Sequence, residues 1–158
     1  MSLGDLKERY WKDGQPVAAI TFYRALMQAG NTAVIDGLIS SLQEKGMNPL
    51  PLYATSLKDS VAAASIEEML VKSETSIILN GTGFALSKPN AKRTQTPFDA
   101  ADCPILQVVF AGSNEEVWRE GTNGLSARDI AMNVALPEVD GRVLARAVSF
   151  KGLAVRDD

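Results

Sequence analysis

The sequence predicts an α/β fold, a three-layer sandwich in which helices cover both faces of a mainly parallel β-sheet. Short apolar runs without polar alternation recur along the 158 residues, and such runs are typical of strands buried on both faces. Segments with apolar residues at helical spacing separate these runs. Strands that alternate with helices favour parallel pairing through right-handed crossovers.

Five runs predict strands because they are short, apolar and bounded by turn residues. The first, third and fourth are uniformly apolar, so we expect them side by side in the centre of the sheet. Pro49 and Pro51 favour an edge or a strand start for the second run, and Arg142 and Arg146 suggest an edge for the last. In chain order, the predicted strands are Val17–Tyr23, Leu50–Tyr53, Ser76–Asn80, Ile105–Phe110 and Val143–Phe150.

Two helices are predicted in the first half of the chain. Asn31 or Thr32 can cap a helix that carries an apolar stripe and runs through Lys45. Gly46 follows in the position where glycine commonly ends a helix. The second helix covers Ser60–Lys72, between the second and third predicted strands.

In the second half of the chain, the sequence predicts two helices, a turn and a polar loop. Ser113 and Glu116 have capping-box spacing, which predicts a helix there. The segment from Ser126 fits either a helix or an alternating strand, and we favour the helix. Pro137–Gly141 predicts a loop or turn, since Asp-Gly favours a positive φ. The polar stretch Ser87–Pro97 predicts a mobile loop.

These elements predict a single domain at residues 16–152, of flavodoxin-like or Rossmann-like form. Residues 1–15 are interpreted as a vector-derived leader followed by an approach segment, and residues 153–158 as the cut end of a longer chain. A chain of this length buries about two-thirds of its unfolded surface, which is enough for one core.

Composition disfavours several classes of function. A net charge of −3 offers no basic surface for nucleic acid, and no apolar run is long enough to cross a membrane. The one cysteine, Cys103, excludes an internal disulfide and suits a reducing cytoplasm, where a buried inert thiol is its ordinary role. Because the chain has no histidine, it cannot by itself form a His-containing triad or a His-ligated metal centre.

Loops beyond the carboxyl ends of the strands are where such sheets bind ligands. Asn80, Gly81, Thr82, Gly83 and Phe84 leave one strand with two glycines, which allow close backbone approach, and with polar side chains that can bond a ligand; a tight turn is the alternative. The segment matches neither a dinucleotide site nor a P-loop. The four candidate loops are Arg24–Thr32, Thr55–Asp59, Gly81–Ala85 and Gly112–Glu115.

Two further groups of side chains are candidates. Arg24, with Asn31 and Thr32, follows the first strand, where an arginine can pair with a ligand carboxylate; alternatively, it is solvated and its neighbours cap a helix. Glu138 and Asp140 stand between a proline and a glycine, and carboxylates can accept protons and hold a divalent cation. A surface turn is the alternative, and two carboxylates make an incomplete metal site.

Several segments agree in order and spacing with one protein family. They are Ala18–Arg24, Ala29–Asp36, Leu38–Pro51, Ser56–Asp59, Asn80–Ala85 and Ala135–Arg142. On these segments the chain resembles the large subunit of aerobic cobaltochelatase from residue 16 to residue 152. The related large subunit of magnesium chelatase carries similar Thr-Gly-Phe-Ala and Leu-Pro-Glu-Leu-Asp-Gly segments.

The resemblance implies an internal domain of the tetrapyrrole-binding subunit of an ATP-dependent cobaltochelatase, a ligase that inserts cobalt into hydrogenobyrinic acid a,c-diamide in cobalamin biosynthesis. ATP-Mg would be used by two ATPase-type partner subunits and not bound here, and the isolated chain would be inactive. Carried over by motif, Glu138 is the catalytic carboxylate, with Asp140 in support. The residues predicted to bind substrate are Arg24, Asn31, Thr32, Asn80, Gly81, Thr82, Gly83 and Phe84.

Other interpretations stay open beside this one. A magnesium chelatase large subunit is the first, although Phe22–Arg24 and Ser56–Asp59 favour the cobalt branch. A non-catalytic ligand-binding or scaffolding domain of flavodoxin-like form is the second, and an independent small-molecule enzyme is the third. The chain also departs from many relatives, which carry a histidine shortly after the arginine that matches Arg24; here Ala25–Met27 follows.

Overall fold

The sheet has five strands, all parallel, in the order β2-β1-β3-β4-β5. The computed structural model describes residues 2–88, 92–122 and 124–152. The strand order is that of flavodoxin-like doubly wound folds, which decides between the two forms predicted. The strands are β1 (Val17–Tyr23), β2 (Asn48–Ala54), β3 (Thr75–Asn80), β4 (Ile105–Phe110) and β5 (Val143–Ser149).

The predicted positions of the strands in the sheet are confirmed. The uniformly apolar strands β1, β3 and β4 are adjacent and parallel in the centre, whereas β2 and β5 are the edges. In the register of the central strands, Thr21 pairs with Asn80, and Asn80 pairs with Gln107. One row of polar residues therefore crosses three apolar strands near their carboxyl ends.

Helices connect the strands on both faces of the sheet. Among the described residues, no helix has the length and apolar character needed to cross a membrane. A short 3₁₀ helix, Asp99–Ala101, precedes β4. The α-helices are α1 (Leu3–Tyr10), α2 (Arg24–Gln28), α3 (Ala33–Glu44), α4 (Ser60–Lys72), α5 (Glu115–Glu120), α6 (Ala127–Ile130) and α7 (Leu136–Val139), with a π-helical segment, Ala131–Ala135, between the last two.

Each face of the sheet has its own apolar cluster, as a three-layer sandwich requires. On one face, Ile66 and Leu70 of α4 pack with Ala19 and Ile78 of the central strands. On the other, Ile35 of α3 packs with residues of β1. Because these strands are apolar on both sides, burying both faces removes the largest apolar area from water.

The amino-terminal helix packs against the domain. Leu3, Leu6 and Trp11 contact the cluster under α4, and Trp11 Nε1 donates a hydrogen bond to the carbonyl of Pro49, 3.0 Å away. Ser2 and Asp5 form a complete capping box at the start of α1. Leu3, Leu6 and Trp11, from a segment predicted to lie outside the domain, therefore pack as partly buried side chains against its core.

Two helix starts differ in detail from prediction. Helix α3 begins after Thr32, but the Thr32 side chain makes no capping hydrogen bond. Helix α5 is capped by Asn114, whose side chain accepts from the backbone of Glu116 at 2.8 Å, and not by Ser113. Asn and Ser are similarly good caps, so spacing alone did not distinguish the neighbouring positions.

The predicted loop at Pro137–Gly141 is wrong for its first three residues. Pro137 to Val139 form α7, where proline is tolerated in the first turn of a helix. The positive φ expected for the Asp-Gly pair is found at Gly141, at 76°. The helix favoured after Ser126 is confirmed, since Ser126 caps α6.

The two ends of the stretch Ser87–Pro97 are packed, whereas Lys88 and residues 92–95 are exposed, as in a surface loop. Ser87 and Thr96 are buried, and the backbone of Thr94 donates to Ser87 Oγ at 2.8 Å. Residues 89–91 of this stretch, and the cut end predicted at 153–158, lie outside the described residues.

A buried hydrogen-bond network joins the three central strands at their carboxyl ends. Asn80 Oδ1 accepts from the hydroxyls of Thr21 at 2.6 Å and Thr82 at 2.7 Å. Its Nδ2 donates to Gln107 Oε1 at 2.7 Å and to the Thr82 carbonyl at 3.0 Å. Gln107 Nε2 donates to the same carbonyl at 3.0 Å. The network fixes the direction in which the chain leaves β3.

Replacing Asn80 should therefore destabilise the domain. Asn80→Ala leaves polar atoms of Thr21 and Gln107 buried with fewer partners, and each orphaned group costs about 1–3 kcal/mol. We expect the free energy of unfolding, measured by urea denaturation, to fall by roughly 2–3 kcal/mol. The control Asn31→Ala, at an exposed position, should change it by less than about 0.5 kcal/mol. Equal effects of the two variants would contradict a structural role for the network.

Candidate functional site

A pocket of about 290 Å³ lies at the carboxyl ends of β1, β2 and β3. Its walls are Tyr23 at the end of β1, residues 55–58 after β2, residues 83–86 after β3, and Arg142. The pocket is lined by two of the four loops that were predicted to contact a ligand, Thr55–Asp59 and Gly81–Ala85. This position agrees with the general rule that doubly wound sheets bind ligands beyond the carboxyl ends of their strands.

The charge of the pocket lining favours a ligand that carries hydrogen-bond acceptors or a negative charge. Among the described residues, the charged ones that line the pocket are Lys58 and Arg142, and no carboxylate is among them. Thr55 and Ser56 add hydroxyl groups beside Lys58. A volume of this size holds a small ligand or one arm of a large ligand.

Arg142 is buried in the wall and holds the loop after β3. Its Nη1 donates to the carbonyls of Thr82 at 3.3 Å and Phe84 at 3.2 Å, and Nη2 donates to Asp140 Oδ2 at 3.0 Å. Burial lowers the pKa of Arg142, and the Asp140 carboxylate offsets only part of this effect; a guanidinium nevertheless remains a cation at neutral pH. Its Nε is buried and has no acceptor in the part of the chain that the structure describes.

Asp140 is fully buried and connects three segments of the chain. Besides Arg142, its carboxylate accepts from the backbone of Leu86 at 2.7 Å and of Ser87 at 2.9 Å. Its own carbonyl accepts from Arg93 Nε and Nη2 at 3.2 and 3.0 Å. Asp140 does not line the pocket, so the structure places this predicted catalytic residue behind the wall, where it positions other groups.

The two glycines after β3 bring the loop close to other parts of the protein. A Cβ on Gly81 would lie 2.3 Å from Cε2 of Phe110, and a Cβ on Gly83 would lie 2.9 Å from the carbonyl oxygen of Met132. That carbonyl, in the π-helical segment, accepts from the backbone of Phe84 at 3.0 Å. π-Helical turns free carbonyls from the α-helical pattern and are frequent at functional sites.

Phe84 has a backbone conformation that is rare for a bulky residue. Its φ is 63°, in the left-handed region, which costs a non-glycine residue about 1–3 kcal/mol. The hydrogen bonds to Met132 and from Arg142 hold it there. The ring lines the pocket and is 50% exposed.

Tyr23 supports the same loop from the end of β1. Its hydroxyl donates to the carbonyl of Gly83 at 2.9 Å. Burial raises the pKa of Tyr23, although Arg142 partly offsets the effect, so the phenol stays protonated and able to donate at neutral pH.

The remaining predicted site residues are spread over the domain. Asn80 and Thr82 are buried in the network under the loop and reach the pocket only through the backbone they hold. Arg24 and Asn31 are exposed and Thr32 is half-buried, and none of these three lines the pocket. Glu138 is exposed on α7, two residues before the buried Asp140, and also lies outside the pocket lining.

Arg142 and Tyr23 were not predicted to belong to the site, and Lys58 was predicted only as part of the candidate loop Thr55–Asp59. Arg142 was interpreted as a mark of an edge strand, and β5 is an edge, but the side chain of Arg142 is only 1% exposed. The Asp-Gly-Arg spacing was a usable signal, because a glycine turn can bring the two charged side chains that flank it together. Tyr23 and Lys58 lie within segments that carried the family resemblance.

The described residues alone do not form a metal site. Within residues 2–88, 92–122 and 124–152, no three His, Cys, Asp or Glu side chains come together in a way that could hold a metal ion. The metal ligands, which the sequence left unassigned, therefore stay unassigned here.

The fold and the pocket define a doubly wound α/β domain with a pocket at the carboxyl edge of its sheet. A model of the CobN/Magnesium Chelatase family matches residues 2–158. The chain belongs to this family of metal chelatases.

Individual relatives agree with the family match. The chain is 46% identical to an aerobic cobaltochelatase subunit CobN from Sinorhizobium sp over 90% of its length, and 45% identical to the CobN of Pseudomonas aeruginosa over 94%. It is 26% identical to the magnesium-chelatase subunit ChlH of Oryza sativa over 87%. The chain spans 11% and 12% of the two CobN proteins and 10% of ChlH.

A solved structure has the same fold. The catalytic subunit of cobaltochelatase from Mycobacterium tuberculosis superimposes with a TM-score of 0.75 over 89% of this chain and 12% of that protein, at 31% sequence identity. The flavodoxin-like arrangement described above is therefore similar to that of one part of a much longer polypeptide.

Two carboxylates at the end of α7 allow a matched test of the site's framework. Asp140→Asn removes the negative charge beside the buried Arg142 and weakens the bonds to Leu86 and Ser87. We expect the free energy of unfolding to fall by about 3 kcal/mol, because one partner of a buried ion pair remains without compensation. Amide exchange at Leu86 and Ser87 should accelerate.

The control for this prediction is Glu138→Gln. Glu138 is exposed and lies on the same helix, so its change should alter stability by less than about 0.5 kcal/mol. If Asp140→Asn is as stable as the control, the ion pair does not hold the loop.

Proposed function

We propose that this chain is part of the tetrapyrrole-binding subunit of an ATP-dependent cobaltochelatase, which inserts cobalt into hydrogenobyrinic acid a,c-diamide in cobalamin biosynthesis. The observation that carries the proposal is the pocket at the carboxyl edge of the sheet, built by segments of a chain that is 46% identical to a cobaltochelatase subunit. The lower identity to the magnesium-chelatase subunit, 26%, favours cobalt over magnesium as the substrate metal.

The pocket suits a peripheral side chain of the macrocycle. A tetrapyrrole ring is too large for about 290 Å³, but its carboxylate or carboxamide arms are not. Lys58 and Arg142 supply positive charge, and the Thr55 and Ser56 hydroxyls can bond a carboxylate or an amide. The ring would then lie outside the pocket, across the edge of the sheet.

Glu138 is the proposed catalytic carboxylate. Metal insertion requires that pyrrole N–H protons leave the ring, and an exposed carboxylate can accept a proton or guide the incoming cation. Asp140 is proposed to support it by fixing the end of α7, since both of its oxygens are occupied by Leu86, Ser87 and Arg142. Arg24, Asn31 and Thr32 are proposed as further contacts to the substrate, from outside the pocket.

Energy for the reaction is proposed to come from two ATPase-type partner subunits in the cytoplasm. The loop after β3 has neither the glycine spacing nor the lysine of a P-loop. This division of labour leaves the present domain to contact the macrocycle.

Removing the charge of Glu138 tests its catalytic role. In the full-length subunit, assembled with its partners, Glu138→Gln should lower the rate of cobalt insertion about a hundredfold, as expected for loss of a general base. Binding of the macrocycle should change little, because volume and polarity are kept. The control Glu44→Gln, at an exposed position on α3, should leave the rate unchanged.

A normal rate for Glu138→Gln would remove this residue from the mechanism. If the wild-type complex inserts Mg²⁺ into a porphyrin and leaves cobalt untouched, the magnesium alternative is correct. A full-length subunit that binds no macrocycle would instead favour the scaffolding alternative.

Nucleotide binding provides a separate test of the division of labour. Calorimetry of this chain with ATP–Mg or NADH should show no binding at micromolar concentrations, because the sequence contains no complete phosphate-cradling motif. Micromolar binding of ATP–Mg would contradict the assignment of energy coupling to partner subunits.

A further inference from the structure

The ring of Phe84 is placed in a way that folding does not require. It belongs to neither of the two core clusters of the domain, whereas Phe22 and Phe98 are core residues and Phe110 packs against one cluster. Half of its surface is exposed beside the pocket. An aromatic ring that is left open to water is a candidate for contact with a ligand.

The backbone under this ring is strained and held. The left-handed φ of 63° belongs to Phe84, although a glycine stands immediately before it and would adopt that conformation without strain. Met132 accepts from the Phe84 N–H at 3.0 Å, and Arg142 donates to the Phe84 carbonyl at 3.2 Å. Strain that the surroundings enforce at an exposed side chain is characteristic of binding sites.

The surroundings of the ring are themselves anchored. Tyr23 bonds the carbonyl of Gly83 at 2.9 Å, and Arg142 is fixed by the buried carboxylate of Asp140. Because bonds to β1, to the π-helical segment and to Arg142 hold the backbone on both sides of Phe84, little loop entropy remains to be lost when a ligand binds. Such preorganisation increases affinity.

We propose that Phe84 is a stacking platform for the flat, conjugated face of the tetrapyrrole, with a carboxylate or carboxamide arm of the same molecule in the adjacent pocket. This inference rests on the proposed function and adds to it the side chain that contacts the ring face. The exposed ring and the cationic lining lie at one site, so a single amphipathic ligand meets both. Offset stacking on an aromatic ring is favourable and tolerates different ring substituents.

The test uses the full-length subunit and hydrogenobyrinic acid a,c-diamide without metal, with binding followed by the absorbance of the macrocycle. Phe84→Leu should weaken binding about tenfold and reduce the change in the absorption band that accompanies stacking. Phe84→Trp keeps a stacking surface, so it should retain both the wild-type affinity and the wild-type change in the absorption band. The control is Tyr10→Leu, which should bind as wild type does. Tyr10 is 55% exposed on α1, and the next two residues bond to Pro49 and Asn48 at the amino end of β2, whereas the pocket lies at the carboxyl ends of the strands.

A second variant separates the ring from the backbone. Phe84→Gly suits the left-handed conformation, so its thermal stability should equal or exceed that of the wild type. Its affinity for the macrocycle should nevertheless fall at least as far as that of Phe84→Leu. A large loss of stability in Phe84→Gly would show that the ring serves folding, and would overturn the inference.

The outcomes for the inference and for the proposed function are distinct. If wild type binds the macrocycle and Phe84→Leu binds it with equal affinity and an unchanged band, the platform is excluded while the proposed function stands. If wild type itself binds no tetrapyrrole, the proposed function fails and the inference with it.

Discussion

The buried ion pair between Asp140 and Arg142 joins the parts of the molecule that form the candidate site. Arg142 holds two carbonyls of the loop after β3, and Asp140 holds two amides further along the same loop. Removing two charges from water is costly, and such a pair is tolerated when further hydrogen bonds satisfy its atoms. Here almost every polar atom of both side chains is bonded, and Arg142 Nε is the exception in the described part of the chain.

A buried network of polar side chains supports the loop after β3 from the side of the sheet. The network centred on Asn80 binds the Thr82 carbonyl from the sheet side, while Arg142 binds the same carbonyl from the side of the pocket. With Met132 as a third contact, the short segment after β3 is fixed from three directions. A loop held in this way can keep a strained residue such as Phe84 in place, because the strain is spread over many favourable contacts.

The end of α7 separates two carboxylates with different roles. Asp140 is buried and fully bonded, whereas Glu138 is exposed. A buried, paired carboxylate positions its neighbours, and an exposed one is free to meet a proton or a cation. Glu138 and Phe84 are therefore two exposed side chains proposed to meet the substrate. The chain spans 11–12% of the CobN proteins it matches.

The sequence by itself determined the strands, their places in the sheet, the bounds of α4, the extent of α3 to within a residue or two, and the edge at which the pocket lies, because apolar periodicity and turn residues act locally. It also identified the segments that carry Phe84 and Glu138. Only the tertiary structure decided that Asn80 and Thr82 face inward, that Asp140 is buried and paired with Arg142, and that Arg142 lines the pocket. These roles depend on hydrogen bonds between residues 25 to 60 positions apart, and local patterns carry no information on contacts at that separation.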